Sequence, residues 1–293
     1  MTGRLAGVAL QLTALAVFVC MDTMLKLLTA HFAVPQLMWA RFFFSLIAAA
    51  AFFRLVTGRL PWRSRAPWLQ AARSLLLAGS NLLFSSALVH LPLTDCTAIG
   101  FASPLFTVAL AAVWLKERVG PRRWLGVGIG FLGVLVALRP PFLTGGEPVH
   151  WAAILPLGTA AMFAVYSILT RKLAAIDDPR TTILHTGFAG AIVASLAQPL
   201  VGIPPTGPEW AMLVGLGLLG GVGHGLLVLA FARAPASLLA PMSYTQLIWA
   251  TVAGVLVFAD WPDLTTLAGA AVIALGGVLV ALPDPGPGRP SRT

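Results

Sequence analysis

At 293 residues, 58% hydrophobic and only 10% charged, with a mean hydropathy of +0.88, the chain carries too few charges to cover a water-soluble domain of its size. Its net charge of +9 is no nucleic-acid surface, because the Lys and Arg residues stand between apolar runs and form no continuous basic face. The composition therefore excludes nucleic-acid binding and requires a lipid bilayer as partner.

A bilayer core about 30 Å thick takes roughly 20 apolar residues per helix. Ten such runs are predicted: Leu5–Leu28, Val34–Val56, Trp68–Leu91, Leu93–Lys116, Arg122–Arg139, His150–Ala174, Thr181–Val201, Glu209–Ala232, Ser237–Ala259 and Leu264–Leu282. The first is too long for a signal peptide and lacks an A-x-A-like cleavage site, so it is expected to stay as a span. It carries Asp22 and Lys26. The second, "VPQLMWARFFFSLIAAAAFFRL", carries Arg41 and, near its outer end, Trp39, either a pathway residue or an interface anchor.

A mid-span charge costs roughly 2.5 to 3.5 kcal/mol on insertion scales, so Arg41 needs a partner. Arg41 lies roughly 10 Å below the outer end of its helix and Asp22 about 9 Å below the end of its own, with Lys26 one turn further out. An Asp22, Lys26 and Arg41 cluster is expected, preferentially a structural ion cluster and alternatively a receptor for a substrate carboxylate.

The third span sets Ser74, Ala78, Asn81 and Ser85 on one face. In the fourth, Phe101 precedes Ser103, Pro104 and Thr107, where proline removes a backbone hydrogen bond and permits a bend. Phe163 and Tyr166, flanked by Thr159 and Thr170, give the sixth span an aromatic and hydroxyl stripe. The eighth has Gly217, Gly221 and Gly225 at intervals of four, read as close helix approach or as a bend at Gly221. His224 stands 143 residues beyond Asn81, and Tyr244 of the ninth span 143 beyond Phe101. His224 is either packed or ligand- and proton-linked. Cys20 and Cys96 fall inside spans and read as packing residues.

With a cytoplasmic N-terminus, every Lys and Arg except Lys26, Arg41 and Arg139 lies on the cytoplasmic side. The C-terminus then lies there too. Pro92 and Pro235, Glu117 and Asp260, Gly126 and Gly269, and Gly133 and Gly276 are each 143 apart, and GVLVAL occurs at 133–138 and 277–282. The chain divides into repeats at 1–140 and 150–282, a connecting loop at 141–149 and a disordered cytoplasmic tail at 283–293. Five spans per repeat invert the second copy, and an inverted repeat offers the two exchangeable arrangements that alternating access needs.

Five-plus-five spans, with the basic loop and glycine pattern "LKERVGPRRWLGVGIGFLGVLVAL", resemble the drug/metabolite transporter superfamily in its EamA-type branch. In length and overall pattern they are similar to bacterial amino-acid exporters of the YddG type. The resemblance implies an all-α membrane protein with a central cavity, in the bacterial inner membrane. One departure is "SYTQLIWATV", with Gln246 and Leu247 where the first half has Ser103 and Pro104.

The expected function is secondary transport of a small organic metabolite, foremost export of aromatic or large neutral amino acids. The alternatives are uptake of a carboxylate or nucleoside-like metabolite, and less favoured a lipid-linked flippase or scaffold. Asn81, Phe101, Phe163, Tyr166, His224, Tyr244 and Trp39 are the candidate substrate-binding residues, with Pro104 and Gly221 as helix bends. No close carboxylate pair, H-E-x-x-H or phosphate-cradling glycine loop is present, so neither catalysis nor a metal or cofactor is expected. A monomer is expected.

Overall fold

Helix ends follow the punctuation in the sequence. The computed structural model describes residues 2–116, 120–138 and 150–281, apart from scattered side chains, that of Tyr244 among them. Glu117, Arg118 and Arg139, the loop at 141–149 and the tail at 283–293 lie outside the described residues. Helix α1 spans Thr2–Leu28. Helix α2, Val34–Thr57, opens with proline in its first turn and stops at Gly58, whose φ of 68° is left-handed and whose N–H bonds the Arg54 carbonyl. Helix α3 runs from Pro67 to His90.

The fourth apolar run is divided into α4, Leu93–Gly100, and α5, Ala102–Trp114, with Phe101 between them. Pro104 has no N–H for the Gly100 carbonyl, so the break sits one residue beyond that acceptor. Helix α6 is Pro121–Leu138. A short 3-10 turn, Trp151–Ala153, leads into α7, Ile154–Leu173. The seventh run is also divided, into α8, Pro179–Thr186, and α9, Phe188–Val201, at Gly187. A Cβ there would stand 3.2 Å from the Phe42 carbonyl. Helix α10, Gly207–Arg233, opens on a capping box between Thr206 and Glu209.

The ninth run becomes α11, Ala236–Leu239, a 3-10 segment Ala240–Tyr244, and α12, Thr245–Phe258. Here the first half's Pro104 is replaced by Leu247, yet the break persists, because Pro241 denies a donor to the Ser237 carbonyl. Helices α5 and α12 thus begin 143 residues apart, with different prolines responsible. Helix α13 is Leu264–Ala281.

Every described element is helical. Seven helices or helix pairs are long and apolar enough to cross a membrane, and Trp124–Gly133, Ile248–Phe258 and Leu264–Gly276 are shorter apolar helices. Leu55, Leu196, Leu200, Leu256 and Leu264 are exposed on the outside, where hydrocarbon solvates them. Inside, Leu25, Leu37, Leu77 and Leu213 build the core with Tyr166.

Helix α6 packs along α13, α1 along α10, α3 along α7, and α2 against α9 and α10. Small residues permit these approaches. A Cβ on Gly276 of α13 would meet the Gly126 carbonyl and Gly130 nitrogen of α6 at 2.6 Å. On α10, Gly221 faces Ser45, Gly220 faces Arg41 and Met21, and Gly223 lies under the Phe18 ring. Of the two readings of the glycine stripe, close approach accounts for these contacts. Helix α10 runs through Gly221 as one continuous α-helix.

At one end, the loop after α7 is tied to the loop before α3. The buried Asp177 carboxylate accepts from Ser64 Oγ at 2.5 Å, Arg65 N at 2.8 Å and Gln70 Nε2 at 2.9 Å. Burial alone would raise its pKa, but hydrogen bonds from Ser64, Arg65 and Gln70 outweigh that and hold it below the usual aspartate value. A depressed folded pKa gives stability that is complete above the unfolded value of about 3.9 and lost as pH falls through the folded one. Asp177→Asn should flatten the acid limb of a thermal-melting profile below about pH 4. An unchanged acid limb would show that this carboxylate does not carry it.

Candidate functional site

A cavity enclosing about 820 Å³ of empty space, its opening included, lies where the broken α4–α5 and the 3-10 segment before α12 meet α1, α2, α3, α7 and α10. Its polar wall is Gln11 and Asp22 from α1, Arg41 from α2, Ser80 and Asn81 from α3, and His224 from α10. The aromatic lining is Phe84, Phe101 and Phe163, with Phe18 beside His224. Ser243 and Gln246 complete the lining. Phe101, between the two helices, lines the cavity together with Ser103 and Pro104.

Three polar atoms in this wall, Arg41 Nε, Asn81 Nδ2 and Gln11 Oε1, are buried without a hydrogen-bond partner. Their residues are 3%, 8% and 3% exposed. An unmade hydrogen bond on a buried polar group costs about 1 to 3 kcal/mol, more where a charge is involved.

Arg41 Nη2 lies 3.4 Å from His224 Nε2, and His224 Nδ1 lies 3.3 Å from Tyr166 Oη. Tyr166 is fully buried behind His224 and does not line the cavity. Its hydroxyl accepts from Arg73 Nη2 at 2.8 Å. Arg73 is fully buried, its guanidinium 4.5 Å from the Tyr166 ring centre. It donates further to Thr170 Oγ1, Thr186 Oγ1 and the Thr182 carbonyl. Sequence reasoning placed Arg73 among the cytoplasmic surface cations. The available signal was its position inside the third run, beside the polar stripe that starts at Ser74.

The expected ion cluster is divided. Lys26 sits at the end of α1, where its long side chain reaches Asp260 Oδ2 at 3.1 Å beyond α12, with Nζ 4.6 Å from the Phe258 ring. Asp22 and Arg41, one turn deeper, both line the cavity, and among the described residues no ion pair joins them. Trp39 is likewise away from the cavity, stacked on Phe43 at 5.0 Å and edge-on to Phe44 and Trp210. Tyr244 ends the 3-10 segment, and its side chain lies outside the described residues. The structure therefore brings Asn81, Phe101, Phe163, His224, Asp22, Arg41 and Pro104 to one cavity. It adds Gln11, Phe18 and Phe84, which a one-dimensional reading could not tell from packing residues. Among the described residues no group of three His, Cys, Asp or Glu side chains could hold a metal ion.

Comparison with known proteins agrees over the full length. The chain is 28% identical over 269 residues to the S-adenosylmethionine uptake transporter of Rickettsia felis, covering 92% of this chain and 90% of that one. It is 29% identical over 279 residues to the riboflavin transporter of Rhizobium johnstonii, covering 94% and 88%. A solved crystal structure superposes with a TM-score of 0.70 at 21% identity, covering 95% of this chain and 96% of that chain, which shows a shared fold. The sequence model of the EamA-like transporter family matches twice, over residues 5–139 and 150–282. With both matches spanning the helices that wall the cavity, the chain belongs to the EamA-like transporter family and is a multi-pass membrane transporter.

Proposed function

We propose that the protein is an alternating-access carrier, in a bacterial inner membrane, for a small zwitterionic metabolite that joins a charged amino-acid-like head to an aromatic or large apolar body. The observation that carries this reading is the cavity wall itself. Arg41 Nε and Asn81 Nδ2 have no hydrogen-bond partner within the chain, and Asp22, Arg41 and Asn81 line the same cavity as Phe84, Phe101 and Phe163. A carboxylate answers Arg41 and Asn81, an ammonium or sulfonium answers Asp22, and a ring or long apolar chain answers the phenylalanines.

Amino-acid export satisfies this chemistry. So does S-adenosylmethionine, whose amino-acid head suits the polar lining and adenine ring the aromatic lining, and which the Rickettsia relatives are named for taking up. Riboflavin, the ligand named for other relatives, has no charged head and would leave Asp22 and Arg41 unanswered.

The alternating-access part of the reading takes the chain as two halves of five spans, the second inverted with respect to the first. The family match occurs once in each half, and the packing pairs exchange between halves: α1 with α10 answers α7 with α3, while α6 with α13 answers itself. Both termini then lie in the cytoplasm. Reporter fusions at Gly145 and at the C-terminus should register opposite sides; the same side for both would remove the inverted topology.

Purified protein in liposomes should exchange labelled phenylalanine, methionine or S-adenosylmethionine by counterflow. Asn81→Ala should weaken that exchange by about tenfold, the value of one hydrogen bond to a charged group, with folded protein retained. Exchange of riboflavin or a dicarboxylate with no exchange of any zwitterion would overturn the substrate class and leave the carrier in place.

A further inference from the structure

Of the two neutral tautomers of His224, one makes hydrogen bonds to both Arg41 and Tyr166 and the other to Tyr166 alone. A neutral imidazole has one N–H and one lone pair. If Nε2 accepts from Arg41 Nη2, then Nδ1–H points at Tyr166 Oη, which already accepts from Arg73 Nη2. If instead Tyr166 donates to Nδ1, the proton lies on Nε2 and two N–H groups face each other across 3.4 Å. An imidazolium has no lone pair for either neighbour.

We propose that His224 is a tautomeric switch that reads an anionic group in the cavity and passes the result to Tyr166 and Arg73. This rests on the zwitterion reading above. In the empty cavity Arg41, the only permanent cation of the three groups, claims the Nε2 lone pair and sets the Nδ1–H form. A carboxylate that enters accepts from Arg41 and from Nε2–H together, so the imidazole proton moves from Nδ1 to Nε2 with no net change of charge. Tyr166 then donates to Nδ1 and its oxygen is left free for Arg73. Arg73 holds α3 to Thr170 on α7 and to Thr182 and Thr186 on α8. Through this one side chain the bonding at the ligand reaches α8, which does not line the cavity, as well as α3 and α7, which do. His224 and Tyr166 are positioning residues in this scheme, acting through Arg41 and Arg73.

Nitrogen-15 NMR of histidine-labelled protein reads the tautomer directly, with His224→Gln identifying the resonance by its loss. Wild-type protein without ligand should show Nδ1–H, and Arg41→Met should show Nε2–H. Arg41→Gln, whose amide oxygen accepts from Nε2–H, should give the same result should the methionine variant fail to fold. One tautomer in all forms, or Nε2–H in the empty wild type, overturns the switch, and neither outcome depends on the ligand's identity. With S-adenosylmethionine or phenylalanine as probe, Tyr166→Phe should bind as wild type and lose counterflow by about tenfold, a coupling of ordinary size. Unchanged counterflow overturns the transmission step. Should wild type bind neither probe, the zwitterion reading fails while the Arg41→Met comparison still decides the switch.

Discussion

Replacing Gly276 by valine should lower the stability of the folded protein by about 3 kcal/mol or more, the upper part of the range for overpacking a closed contact. A Cβ at that position meets not flexible side-chain ends but the backbone of α6, the Gly126 carbonyl and Gly130 nitrogen at 2.6 Å and the Gly130 Cα at 3.0 Å. Backbone in a helix has no rotamer to change, so the two helices must separate along their length and lose contacts well beyond the mutated turn. Gly128→Ala is the control. It lies on the same helix α6, its Cβ would meet nothing within 4 Å, and alanine favours helix, so its effect should be neutral or slightly stabilising. Melting temperature and monodisperse yield in detergent report both. Equal behaviour of the two variants would show that the α6–α13 contact is not what joins these helices.

Arg41→Met should weaken binding of a carboxylate-bearing ligand by about 100-fold, in keeping with the 2 to 5 kcal/mol typical of removing one partner from a desolvated charge pair. The folded protein should survive, because no ion pair or carboxylate hydrogen bond to Arg41 is present among the described residues. Amide analogues of the same ligand should bind wild type and variant alike. Asp22→Asn should weaken the cationic end of the ligand instead, and the double variant should lose both increments. The alternative is a structural ion pair. It would appear as a loss of thermal stability in Arg41→Met, recovered in part by adding Asp22→Asn, with ligand affinity untouched.

Much of the fold is legible one residue at a time. Apolar run length places the long helices within a few residues, since the requirement to satisfy every backbone group inside lipid leaves few alternatives. What is not legible are the interruptions. Pro104 was visible as a bend, but the carbonyl it strands is Gly100, which sets the break at Phe101. In the ninth run the proline at fault, Pro241, lies outside the repeat register. Gly187 interrupts the seventh run at a point where a Cβ would stand 3.2 Å from the Phe42 carbonyl, 145 positions earlier in the chain.

The site shows the same division. Asn81 and His224 stand out because a polar residue in a long apolar run needs a reason. Arg73 does not, because a cation near the end of a span is usually a surface anchor. Only folding shows Thr170, Thr182 and Thr186 gathered around it. Lys26 was assigned to its own helix neighbour by depth, whereas its partner Asp260 is 234 residues away.

The cavity draws its lining from both family-matched segments, Asp22, Arg41, Asn81 and Phe101 from one and Phe163, His224 and Gln246 from the other. A molecule seated there is a removable crosslink between two halves that are also joined by the hydrogen bonds of Arg73 and Asp177 and by the Lys26–Asp260 ion pair. By mass action it stabilises the folded form by RT ln(1 + [L]/Kd), about 2.7 kcal/mol at a hundredfold excess over Kd. Heat resistance thereby becomes a meter of occupancy, and a library of metabolites can be ranked on purified protein before any flux across a membrane is measured.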